Sequence, residues 1–187
     1  MKILGRFPDA AATYAWAEEV AATPQVVSPT GVVMKRLRQR MGFEWGAGEG
    51  WTREEAYDWA LTILGEVARI EPRVAREALR HVYGPYDEQR MLWLAVQVAK
   101  ELQEHTSRSY SQLSRLAKVA VQRQRSREQW RKPLPKAWYA HALGIEPASL
   151  HEGGWPGLIR EAEGLVVRWA RSGEQSLAQR VPEPEPA

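Results

Sequence analysis

The sequence predicts an all-α fold, and three observations support that prediction. Apolar residues recur at the three- and four-residue spacing of helix faces through most of the 187 residues. Residue types that begin and end helices, namely Asp, Thr, Pro and Gly, stand between these periodic segments. Val and Ile never alternate with polar residues over the length of a strand. We therefore expect a compact protein of several helices.

Residues 1–50 are predicted to hold one helix and a basic segment. Asp9 can cap a helix over about residues 9–22, and Phe7 precedes it where an apolar residue packs against the helix entry. After a turn-rich stretch, the run VVMKRLRQRMG predicts a short basic helix. The cations of this segment are Lys35, Arg36, Arg38 and Arg40. They either bind phosphate or form a solvated basic turn, and the pattern favours neither.

Residues 51–172 are predicted to form the helical core. Thr52 and Glu55 make the T-x-x-E capping box of a helix start, and Pro72 suits the first turn of the next helix. We expect these two helices to pack as a hairpin. After the turn YGPY, Asp87 can cap a further helix whose apolar stripe predicts a core position. That stripe consists of Met91, Leu94, Ala95, Val98 and Leu102.

The last part of the chain is predicted to be a helix followed by a tail. Pro156 suits the first turn of this helix, and apolar residues recur along it as far as Trp169. The chain ends in VPEPEPA, an acidic and proline-rich composition that cannot bury enough apolar surface to fold. We therefore expect residues 173–187 to be a disordered tail.

Composition and charge restrict the classes of function. The absence of cysteine excludes disulfides, thiol nucleophiles and thiolate metal sites. The longest apolar run, LWLAVQVA, falls far short of the roughly 20 residues that span a bilayer, and the start of the chain has no apolar stretch of signal-peptide length. We expect a cytoplasmic protein with no membrane partner. A net charge of +3 and a pI near 9.3 favour a polyanionic partner.

The strongest concentration of positive charge lies between Thr106 and Lys132. Eight Arg or Lys residues occur there against the single acid Glu128. The stretch SYSQLSRLAKVAVQRQRSR is a candidate helix-turn-helix region. Its cations either bind DNA phosphates or form a solvated helix face, and the pattern leaves both open. The candidate DNA-binding residues of this region are Arg108, Arg115, Lys118, Arg123, Arg125, Arg127 and Lys132.

A second candidate helix-turn-helix follows, in LPKAWYAHALGIEPASLHEGGWPGLIREAEG. Here Gly144 turns the chain after a short helix, and Ser149 can cap the next one. The residues that would contact DNA are Ser149 and His151, or alternatively the start of the helix at Trp155, with Arg160 in its first turns. The pattern leaves both candidate regions open.

Two parts of the chain resemble Q-type transcription antitermination proteins of phages and prophages. They are the run EAEGLV at residues 161–166, which follows the second helix-turn-helix pattern, and the helix pair that begins with TREEA and ends with HVYG. The resemblance implies a protein that binds double-stranded DNA beside a promoter, joins paused bacterial RNA polymerase with its sigma factor, and suppresses pausing and termination. Nascent RNA is a further implied partner, and residues 35–40 would contact nucleic-acid backbone or polymerase.

Two alternatives use the same DNA-binding pattern, namely a helix-turn-helix repressor or activator and a phage DNA-packaging protein of the small-terminase kind. An enzyme is not expected, because the four histidines lack an H-E-x-x-H or similar spacing and no Gly-rich loop follows a strand. The acidic pairs stand in first turns of predicted helices, where the helix dipole explains them. The sequence therefore predicts no catalytic residue, no metal site and no cofactor.

Overall fold

A computed structural model of the chain describes residues 7, 9–22, 53–125, 136–152 and 154–181. All regular structure within these residues is helical, so the predicted all-α class is confirmed. None of the described helices combines the length and the apolar character needed to cross a membrane. The chain divides into two compact units, one formed by Met1–Ile70 with Glu174–Ala187 and the other by Glu71–Gly173.

The first unit contains α1 (Ala10–Ala22) and α2 (Arg53–Ala68), which pack against each other. Asp9 caps α1 as predicted, since the Ala12 N–H donates to Asp9 Oδ1 at 2.8 Å. The Phe7 ring lies 5.2 Å from the Trp16 ring, so Phe7 does pack at the helix entry. Tyr14 and Trp16 are fully buried and supply most of the apolar surface of α1.

The second unit begins with α3 (Arg73–Tyr83) and α4 (Glu88–Gln103), and the division of the chain falls just before them, after Ile70. The helix pair predicted as a hairpin, α2 and α3, is divided between the two units, and within the first unit α2 packs on α1. The sequence pattern identifies the apolar face of a helix, but it does not identify the helix that this face meets.

Three further helices complete the second unit together with the first part of a fourth. They are α5 (Tyr110–Arg123), α6 (Lys136–Leu143), α7 (Ser149–Glu152) and α8 (Trp155–Arg180). The α4 stripe predicted as core is buried throughout, and it packs against α5. Asp87 caps α4, because the Arg90 N–H donates to Asp87 Oδ1 at 3.0 Å. This hydrogen bond holds the pKa of the Asp87 carboxyl below its usual value.

The final helix is longer than the sequence indicates. α8 continues through Arg180, whereas the tail was expected from residue 173. Ala170, Leu177 and Val181 are all buried and stand at helical spacing, so apolar burial stabilises this extension. The proline-rich residues 182–187 lie outside the described residues.

Gly173 marks a close approach of two helices within the second unit. A Cβ atom added there would lie 2.7 Å from the Ala75 carbonyl oxygen and 2.9 Å from Leu79 Cβ. We expect Gly173→Ala to lower the free energy of unfolding by about 1–3 kcal/mol, because overpacking against backbone outweighs the gain in helix propensity. Gly164→Ala in the same helix is the control, since its Cβ would meet only the flexible end of Arg168 at 3.3 Å. Urea unfolding of both variants tests this, and equal stabilities would contradict it.

A charged cluster joins the end of α3 to the start of α4. The Arg90 side chain is only 7% exposed, and its Nε lies 3.3 Å from Glu77 Oε2. The Arg90 guanidinium also donates to the carbonyl oxygens of Arg80, at 3.2 Å, and Pro85, at 3.3 Å. Arg90 therefore binds the carboxylate of Glu77, together with Arg76 at 3.3 Å, and also the carbonyls of the turn between the helices.

Candidate nucleic-acid interface

The basic region predicted to bind DNA forms α5, an amphipathic helix. Ser109 begins it, with its side chain accepting from the Gln112 N–H. Four apolar residues of this helix stand at helical spacing and are fully buried. They are Leu113, Leu116, Ala117 and Ala120. This burial fixes the rotation of α5 and determines which of its cations reach solvent.

One face of α5 is exposed and carries positive charge, and we call it the α5 basic stripe. Four of its members stand four and three residues apart within the helix, so they lie along one side of it, and Arg125 is exposed in the turn that follows the end of α5. The members are Ser111, Arg115, Lys118, Gln122 and Arg125. The separation of Arg115 and Gln122 corresponds to about 10 Å of helix, comparable with the ~12 Å width of the major groove of B-DNA. No acidic residue occurs between Thr106 and Arg125.

The cations of the stripe are largely uncommitted to the protein itself. Among the described residues, Lys118 makes no hydrogen bond, ion pair or ring contact. Arg115 makes only a long hydrogen bond, at 3.5 Å from its Nη1 to the Leu143 carbonyl oxygen. Arg125 forms no ion pair with a described residue, and its Cζ lies 4.8 Å from the centroid of the Tyr86 ring. These side chains keep most of their donors available for an anionic ligand.

Two cations predicted to bind DNA are instead engaged within the fold. Arg123 Nη1 lies 2.7 Å from Tyr139 Oη and 2.5 Å from Glu163 Oε1, with its side chain 10% exposed. Arg108 stacks on the buried Trp155, with its Cζ 3.8 Å from the ring centroid. Arg123 and Arg108 were expected to bind DNA phosphates, and in the structure both side chains are instead held by residues of the protein itself. The spacing of the sequence places Arg123 at the edge of the stripe, where long-range partners decide its direction.

The group around Arg123 links three helices of the second unit. The Tyr139 hydroxyl donates to Glu163, and the Arg123 guanidinium donates to both residues. Burial and the hydrogen bond with Glu163 raise the pKa of Tyr139 well above its usual value. Burial opposes the charge of Arg123, but Tyr139 and Glu163 together raise its pKa. The triad thus links α5, α6 and α8 by hydrogen bonds.

The second candidate helix-turn-helix has a different geometry from the one expected. α6 ends as predicted at Gly144, whose φ of 67° is the left-handed conformation that glycine adopts readily. The next helix, α7, has only four residues. Gly154, with a φ of 71°, then separates α7 from α8. This helix is too short to present a recognition surface along a groove, so the structure does not confirm a helix-turn-helix here.

The remaining candidate residues of this region are dispersed. Ser149 is exposed at the start of α7. His151 lies in the same helix, where the structure describes its backbone but not its side chain. Arg160 is exposed on α8, and its Nε donates to the Pro156 carbonyl oxygen at 3.3 Å. The other predicted cations lie outside the described residues. These are Lys35, Arg36, Arg38, Arg40, Arg127 and Lys132.

Tyr86 contacts Arg125 at the end of the stripe, a contact that sequence reasoning missed. The sequence indicates only a turn at YGPY, and the Arg125 contact joins residues 39 positions apart. An aromatic residue in a turn carries no signal of such a distant partner, so only the folded chain reveals the pair. Among the described residues, no group of three or more His, Asp or Glu side chains is arranged to hold a metal ion.

His81 connects α3 to the helix that carries the stripe. Its Nε2 lies 2.8 Å from the Val121 carbonyl oxygen. Burial lowers the pKa of His81, the hydrogen bond to Val121 opposes this, and the positive charges of Arg90 and Arg125 lower it further. The neutral ring then donates Nε2–H to the carbonyl.

We expect the stability of the chain to fall as the pH is lowered below about 6.5. The pKa of His81 is lower in the folded chain than in the unfolded chain. The stabilisation by neutral His81 is therefore complete at a pH above the pKa of the unfolded chain, and it is lost as the pH falls through the pKa of the folded chain. The loss for one proton is at most about 1.4 kcal/mol per pH unit. Urea unfolding between pH 7 and 5 should show a shallower slope for His81→Gln than for the exposed control His105→Gln. Identical slopes would contradict the assignment.

Comparisons with known proteins found no match to this chain among protein-family models, curated proteins or solved structures.

Proposed function

We propose that this chain is a cytoplasmic, non-enzymatic protein that binds double-stranded DNA through phosphate contacts of the α5 basic stripe. The observation that carries the proposal is the exposure of Arg115 and Lys118 on one face of α5, and of Arg125 directly after it, with no acidic residue between them in the sequence. A cation that neutralises a phosphate releases condensed counterions, and this release favours binding at low salt. The stripe contains too few sequence-reading side chains to specify a site by itself, so its contribution is affinity and orientation.

Salt dependence of binding tests this proposal directly. We expect the logarithm of the association constant to fall with the logarithm of salt concentration with a slope of about −2.7 or steeper, since three phosphate contacts each contribute about −0.9. Fluorescence anisotropy with a labelled blunt duplex and the full chain measures that slope. A slope near zero, or no binding at low salt, would contradict DNA binding through the stripe.

The role that we propose for this DNA binding is transcription antitermination, and it rests on the resemblance of EAEGLV, TREEA and HVYG to Q-type proteins. The proposed partners are bacterial RNA polymerase with its sigma factor, and nascent RNA. Single-round transcription through an intrinsic terminator, with and without the chain, tests this role. Read-through that requires promoter-flanking DNA would support it. DNA binding with unchanged read-through would favour a repressor, an activator or a DNA-packaging protein.

A further inference from the structure

One end of the α5 basic stripe carries a stacked pair of side chains. Arg125 Cζ lies 4.8 Å from the centroid of the Tyr86 ring, which places the guanidinium over the ring. Tyr86 is 52% exposed, the largest exposed fraction among the bulky apolar and aromatic side chains of the described residues. The pair therefore presents aromatic surface to solvent directly beside positive charge.

This arrangement differs from that of a cation that serves only for phosphate binding. Lys118 is exposed with no described contact, and a point charge of that kind is sufficient for phosphate. Arg125 is instead held against a ring, which orients its planar guanidinium while its N–H donors make no hydrogen bond to any described residue. Guanidinium planes and aromatic rings are the two surfaces on which proteins stack unpaired bases.

We propose that the Tyr86–Arg125 pair binds an unpaired nucleobase, so that the preferred ligand is a duplex that opens into a single strand at this end of the stripe. The inference rests on the proposed function, because Arg115 and Lys118 would hold the phosphates of the adjoining duplex. The base stacks on the exposed aromatic and guanidinium surface, and the guanidinium donors bind the neighbouring phosphate. A fully paired duplex cannot use the ring, because its bases are stacked on one another.

The test compares a blunt duplex with the same duplex carrying a short single-stranded extension, using the full chain and fluorescence anisotropy. We expect the extension to tighten binding roughly tenfold, within the range measured for stacking of one base on an aromatic side chain. Tyr86→Leu should abolish that gain while leaving blunt-duplex affinity unchanged, and Tyr86→Phe should retain most of it. Tyr110→Leu, at the opposite end of α5 and 42% exposed, is the matched control and should keep the gain.

The outcomes separate this inference from the proposed function. Blunt-duplex binding with the expected salt slope but no gain from the extension overturns the inference alone. A gain that survives Tyr86→Leu also overturns it, because the base would then stack elsewhere. Binding of the extended ligand that depends on Tyr86, together with no binding of the blunt duplex, overturns duplex binding and supports the base-binding pair. Circular dichroism melting of each variant verifies that the exposed substitutions leave the fold intact.

Discussion

Replacement of Arg115, Lys118 and Arg125 together by glutamine is expected to weaken duplex binding by about two to three orders of magnitude at 0.1 M salt. Each phosphate contact contributes about 0.9 to the slope of log association constant against log salt concentration. Three contacts therefore raise the affinity by about 2.7 decades when salt falls from 1 M to 0.1 M, and the variant lacks this gain. The slope of the salt titration should flatten by the same amount. Anisotropy titrations over a range of salt concentrations measure both quantities with one ligand.

A charge-matched variant distinguishes the stripe from the general positive charge of the chain. Lys100, Arg168 and Arg171 are exposed on α4 and α8, and their replacement by glutamine also removes one lysine and two arginines. We expect this control to change the salt slope little, because these cations lie outside the stripe. Equal weakening by the two triple variants would mean that binding follows net charge alone, and the stripe would then not be the interface.

The position of the cations relative to buried carboxylates explains why only part of the basic region is proposed to bind DNA. Arg123 has the same charge as Arg125 and stands two residues before it, yet its guanidinium is paired with Glu163 and Tyr139. Withdrawal of Arg123 from the triad would leave the half-buried Glu163 unpaired, which costs more than one phosphate contact gains. The proposed interface is therefore formed by the exposed cations on and directly after α5 rather than by all cations of the basic region.

The helices were predictable to the extent that their own periodicity and caps determine them. Asp9, Asp87 and Gly144 mark helix ends in the structure as they do in the sequence, and the apolar stripes of α4 and α5 are buried as expected. Local backbone chemistry controls such features, so a short window of sequence contains the required information. The extension of α8 was missed because Leu177 and Val181 are isolated apolar residues in a polar stretch.

The candidate site was less predictable, since its geometry depends on contacts between distant residues. The exposure of Arg115 and Lys118 follows from the helical period, and both were identified. The Arg123 pair with Glu163 spans 40 residues, and no local pattern indicates it. The four-residue α7 is a different case. The Gly and Pro residues beside it are visible in the sequence, but only the folded chain shows that they leave α7 too short for a recognition helix.

Arg90→Met is expected to lower the free energy of unfolding by about 1–3 kcal/mol, the cost of leaving buried polar groups without their partner, while Arg76 Nε remains 3.3 Å from Glu77 Oε1. The substitution would leave Glu77, whose side chain is 13% exposed, without its best-buried cation. It would also remove the donors that satisfy the carbonyl oxygens of Arg80 and Pro85 in the turn between α3 and α4. Urea unfolding followed by circular dichroism measures the loss.

Two further variants separate the buried cation from the charge of the cluster as a whole. Arg80→Met removes a cation that is 37% exposed and lies 3.9 Å from Glu77, so we expect a loss below about 1 kcal/mol. Arg90→Lys keeps the charge but not the planar fork that reaches the carboxylate and two carbonyls, and we expect an intermediate loss. If Arg90→Met and Arg80→Met were equally mild, the turn would be held by apolar packing of α4 rather than by Arg90. Because α4 packs directly on α5, a large loss would instead identify Arg90 as the residue that fixes the support on which the basic stripe rests.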